Sequence, residues 1–181
     1  MADPEAEVEY KNESDCLILE PDSSGSTITK VTFTRSVPDV HARVAELLKL
    51  PETERVRCFH LPFFEKVLGW SVHMYLDLDA VEHGMQHNTN ATQLWLIANL
   101  PNEPPEVQPD SIHGPVLLTA ENFKDEEYVQ LSDKEWQLLV AKCKEVQPNA
   151  QFMPAEQVAT PPGEQSEPAA TPEAESEPAA Q

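Results

Sequence analysis

Residues 25–50 read GSTITKVTFTRSVPDVHARVAELLKL, a stretch that passes from one kind of periodicity to another within a few residues. In its first half Ile28, Lys30, Thr32 and Thr34 alternate with Thr29, Val31 and Phe33, the period of a strand. In its second half Val40, Val44, Leu47 and Leu48 recur at helical spacing, with Ser36 available as a cap, Pro38 suited to the first turn and Pro51 as a stop. Upstream, DCLILE at 15–20 is a short apolar run, and PDSSGS at 21–26 is dense in turn formers. The two runs therefore predict a β-hairpin that feeds directly into an amphipathic helix.

Downstream of Pro51, RVRCFHL at 55–61 alternates Val56 and Cys58 with Arg55 and Arg57. SVHMYL at 71–76 offers Val72, Met74 and Leu76, and TQLWLIANL at 92–100 reads as a buried strand centred on Trp95 and Ile97. The order hairpin, helix, strand, strand, turn, strand over 14–100 resembles the ubiquitin-like domains. The quoted segment 25–50 resembles their second strand and helix, RVRCFHL their third strand, and YLDLDAVEHGMQHNTNATQLWLIANL at 75–100 their ending. The resemblance implies an α+β β-grasp, a mixed sheet over one helix. The segment FFEKVLGWSV at 63–72 is longer than the family's usual link into the fourth strand.

A Pro-rich acidic stretch at 101–111 reads as a linker to a smaller strand-helix unit at 112–153. In that unit Ser132 is the expected cap and Glu135 completes a capping box, placing Trp136, Leu139, Val140 and Cys143 on one helical face. Gly114-Pro115-Val116, Tyr128-Val129-Gln130-Leu131 and Trp136-Gln137-Leu138-Leu139 resemble the C-terminal half of the DUSP domain of ubiquitin-specific proteases. The Trp-rich helical half that precedes it in those domains is not found here. Residues 1–13 are expected as a flexible acidic arm. Residues 154–181, rich in Pro, Glu and Ala and repeating SEPAA at a ten-residue spacing, are expected as a disordered tail.

Twelve basic against thirty-two acidic residues give a net charge of −20, which disfavours nucleic acid and anionic membrane as partners. The opening Met1-Ala2-Asp3-Pro4-Glu5 is not a basic-then-apolar leader, and no run approaches the ~18 apolar residues of a spanning helix. Three widely spaced cysteines, Cys16, Cys58 and Cys143, fit reduced thiols. A monomer of the cytoplasm or nucleus is the resulting expectation.

Three polar clusters have residue types that could carry chemistry. Cys58 and His60 would share a strand face, so a thiol–imidazole pair is conceivable, but no glycine-rich loop or orienting amide accompanies them, and Cys58 reads more simply as a small core residue. His83 and His87 have the spacing of a helical metal pair but lack a glutamate between them and a third ligand, and Gly84 weakens the helix. Asp77, Asp79 and Glu82 lack the glycine and spaced acceptors of a calcium loop. No metal, cofactor or catalytic residue is assigned. The chain ends in PAAQ rather than Gly-Gly, so a conjugated modifier is not expected. What remains is a surface: Arg55 and Arg57 at outward positions of RVRCFHL, with His60 at its end, as a protein-binding face. The resemblances imply a non-catalytic adaptor or accessory module in ubiquitin-linked processes. The alternatives are an acidic chaperone-like or charge-mimicking protein for a basic client, and a thiol enzyme using Cys58 and His60.

Overall fold

The structure, a computed structural model, describes residues 13–22, 28–34, 39–99, 111–122 and 129–152. It is a mixed α and β architecture. Strands β1 (Glu13–Leu19) and β2 (Ile28–Thr34) form the expected hairpin, with Cys16 opposite Val31 and Leu19 opposite Ile28. Helix α1 (Val40–Leu47) follows, capped by Asp39, whose Oδ1 accepts from the Ala42 N–H at 2.9 Å. The expected cap Ser36 and Pro38 lie outside the described residues, and the helix begins beyond both.

A single 3-10 turn (Thr53–Arg55) leads into β3 (Val56–Leu61), helix α2 (Pro62–Leu68) and β4 (Trp70–Asp77). The long link FFEKVLGWSV is thus mostly a helix, with Pro62 in its first turn and Gly69 at φ 73° ending it.

The structure corrects two expectations. TQLWLIANL is part of helix α3 (Thr89–Asn99), not a strand. Its buried residues Ala91, Leu94, Trp95 and Ala98 recur at helical spacing while Leu96 is 41% exposed, and Asn88 caps the start through a bond from the Ala91 N–H. The second correction concerns the sheet. Strand β5 (Val116–Asn122), from the segment assigned to a separate unit, lies between β1 and β4 in the order β2-β1-β5-β4-β3. All four pairings are antiparallel, so the sheet is not mixed. The expected boundary between 14–100 and 112–153 therefore does not divide the core, and Glu13, placed in the N-terminal arm, is the first residue of β1.

Strand alternation distributes the apolar side chains to two faces. Leu17, Leu19, Val72, Met74, Val116 and Leu118 join Phe64 of α2, Trp95 of α3, and Trp136 and Leu139 of α4 (Asp133–Val146) on one face. Cys16, Ile18, Phe33, Val56, Tyr75 and Leu117 meet Val44, Ala45 and Leu48 on the other, where α1 packs. Helices thus cover both faces rather than one. Helix α4 starts with the expected capping box of Ser132 and Glu135.

Residues 111–114 run beside 86–88 before entering β5. The Asn88 N–H donates to Ile112 O at 2.9 Å, and the Gly114 N–H donates to Gln86 O at 2.8 Å. Gly114 has φ 73°, and a Cβ there would stand 2.6 Å from Met85 Sδ, so both conformation and space call for glycine. Among the described residues no helix is long and apolar enough to cross a membrane.

Candidate functional site

Strand β3 ends the sheet, and its position decides what its side chains do. Only Val56, at its start, joins the core beneath α1, while Leu61, at its end, is buried on the opposite face. Between them Arg57, Cys58 and His60 are exposed and Phe59 is half-buried, packed edge-on against Trp95 with ring centroids 4.9 Å apart. Cys58 is therefore not the core residue expected. The buried residues of α1 cover Val56 but not the part of the strand that follows it, and a terminal strand has a neighbour on one side only.

The three residues expected to form a binding face do not share one. Arg55 belongs to the 3-10 turn, and its Nε donates to Glu52 Oε2 at 3.1 Å while Nη1 lies 3.2 Å from His83 Nδ1. Arg57 is on the strand and exposed, with Nη1 donating to Glu54 O at 2.6 Å and Val56 O at 3.0 Å. His60 is on the opposite side of the strand from Arg57, its Nε2 3.3 Å from Glu65 Oε2 and its ring 5.4 Å from that of His73 across the β3–β4 ladder. Cys58 shares the His60 face. What unites Arg55, Arg57 and His60 is the edge along which they are strung.

The other polar clusters resolve into local ties. His83 and His87 are not on a helix and turn to different partners. His87 Nδ1 lies 3.3 Å from Asp22 Oδ2 and its Nε2 3.2 Å from Thr92 Oγ1, fastening the end of the hairpin to the start of α3. Burial pushes the Asp22 carboxyl upward, but bonds from the Thr89 hydroxyl, the Thr89 N–H and His87 outweigh it and hold the group below its ordinary value. Asp77 caps the following turn by accepting the Asp79 N–H at 2.9 Å. Among the described residues no three His, Cys, Asp or Glu side chains are placed to hold a metal ion.

The cysteines differ sharply in environment. Cys16 and Cys143 are buried, and burial pushes the Cys143 thiol up to about 12, whereas Cys58 is exposed on the edge strand. The sequence carries no signal for that difference, because which strand ends a sheet depends on pairing between distant segments. Compared with known protein families, characterised proteins and solved structures, the chain matches none of them.

Proposed function

We propose that the chain is a non-catalytic protein-binding adaptor that takes its partner along β3. The observation that carries this reading is the position of β3 at the end of the sheet, with nothing among the described residues paired to it beyond β4. A partner strand laid along that edge would gain main-chain hydrogen bonds from the unpaired N–H and C=O groups. It would meet Arg57 and Phe59 on one face and Cys58 and His60 on the other, so residues on opposite faces act on one ligand. The Arg57 guanidinium donates to two main-chain carbonyls from Nη1 and has further N–H groups to offer, which favours a carboxylate on the partner.

The ubiquitin-linked setting of this reading, and the ubiquitin-like and DUSP-like assignments of 14–100 and 112–153, rest on the sequence resemblances. Affinity capture with the full chain, scored for ubiquitin conjugates and conjugating or deconjugating enzymes, tests that setting separately. Absence of all of these from a captured set would detach the adaptor from it.

The edge itself is tested by Arg57→Glu and, independently, by alkylating Cys58 with a bulky thiol reagent, to which the buried Cys16 and Cys143 react slowly in the native state. Each is expected to weaken capture of the same proteins by about thirtyfold or more, the effect of losing a contact at the centre of an interface. Capture that ignores both changes but disappears in moderate salt or on deletion of residues 154–181 would instead support the charge-mimicking alternative.

A further inference from the structure

One carboxylate in the described residues is buried and half-satisfied. Asp77, at the end of β4, is 3% exposed; its Oδ1 accepts the Asp79 N–H, while its Oδ2 has no hydrogen-bond partner. The nearest cationic candidate is His83 Nδ1, at 3.5 Å. Asp77 also lines a cavity of about 30 Å³ with His113, whose Nδ1 is likewise buried and without a hydrogen-bond partner. That volume is enough for a water.

The same His83 nitrogen lies 3.2 Å from Arg55 Nη1. The two contacts demand opposite states of one atom. A guanidinium only donates, so Arg55 needs the lone pair of Nδ1; a carboxylate only accepts, so Asp77 needs a proton on it. Nδ1 cannot satisfy both at once.

We propose that His83 is a proton-operated latch on Arg55. With Nδ1 unprotonated, His83 accepts from Arg55 and holds it against the turn at 78–84. When the imidazole takes up a proton, Nδ1–H turns to the waiting oxygen of Asp77, the new cation repels the guanidinium, and Arg55 is released. The other charged groups around the exchange do not oppose it. Glu52, at 3.1 Å, is its remaining partner, and with the carboxylate 60% exposed that contact is weakened by solvent screening. Asp79 and Glu82 are the other acidic side chains of the same turn, and His113 lines the cavity that Asp77 borders. Acid thus frees a residue of the proposed docking edge. Only this consequence rests on the adaptor reading; the latch itself is intramolecular.

The test needs no partner. In the full chain labelled with ¹⁵N, the order parameter of the Arg55 Nε–Hε bond is measured from about pH 7.5 to about pH 5.5, above the ordinary carboxylate range. It is expected to fall from the rigid range near ~0.85 to below ~0.6. In Asp77→Asn, which keeps the shape but removes the carboxylate that receives the Nδ1–H, the fall should be smaller than in the wild-type chain over the same range. In His83→Gln, whose amide oxygen can accept from Arg55 at any pH, no fall should occur. An Arg55 order parameter constant across the range in the wild-type chain, or an unchanged fall in His83→Gln, would overturn the latch. Failure of Arg57→Glu to affect capture would count against the docking edge alone and leave this measurement intact.

Discussion

A chain ending at residue 110 is expected not to fold. It retains every strand of the segment that resembles a ubiquitin-like domain, but loses β5, which pairs with β1 through Leu17–Leu118 and its neighbours and with β4 through Met74–Leu118 and its neighbours. Without it the two hairpins have no common strand. The cut also removes Val116, Leu117 and Leu118 of β5 and Trp136, Leu139 and Val140 of α4, all buried. At even ~1.5 kcal/mol for each of these side chains the loss is comparable to the ~5–15 kcal/mol stability of a typical domain. The truncated chain should give a collapsed amide spectrum and no cooperative thermal transition. A well-dispersed spectrum with a sharp melt would show that 14–100 is an independent unit after all.

Replacing Asn88 is expected to cause the largest loss of any single polar substitution among the described residues. Its side chain is fully buried and makes three bonds at one junction: Nδ2 donates to Leu19 O and Gly114 O, each at 2.9 Å, and Oδ1 accepts the Ala91 N–H at 3.1 Å. It therefore caps α3 and ties the end of β1 to the entry of β5. Asn88→Ala leaves two buried carbonyls and a helix N–H without that partner, at a cost of about 3–5 kcal/mol. For a chain of this size that corresponds to a fall in Tm of roughly 10 °C. Asn88→Asp separates the roles, because it retains the cap acceptor but presents a carboxylate to two carbonyl oxygens. It should be no more stable than the alanine variant at neutral pH. Recovery of wild-type stability by Asp would show that capping alone matters at this position.

The parts of the fold legible in the sequence are those set by short-range interactions. The hairpin, β3, β4 and the capping box of α4 rest on neighbours in the chain, and Ser132, Glu135 and Trp136 take the positions their spacing predicts. Helix α3 reads as a strand because LWLI is equally apolar to both periodicities; the deciding residue is Asn88, outside the apolar run, whose cap sets the helical register. Helix α2 is only seven residues long, too short for its period to emerge. The antiparallel insertion of β5 is hidden because the pairing of Leu118 with Leu17 and Met74 spans distant segments. The proposed binding residues inherit that limit. RVRCFHL suggests charged outward positions, but only the sheet order makes β3 an edge, exposes Cys58 and turns Arg55 toward His83.

Native-state amide hydrogen exchange on the full chain tests most directly the claim that β5 completes one sheet and leaves β3 as its edge. The amides of Leu117 and Leu118 should be among the slowest, opening only with the whole domain, together with those of the adjacent stretches of β1 and β4. Along β3, slow and fast amides should alternate, the fast ones pointing away from β4. Exchange of β5 well before β1 and β4, or uniform protection along β3, would contradict the account.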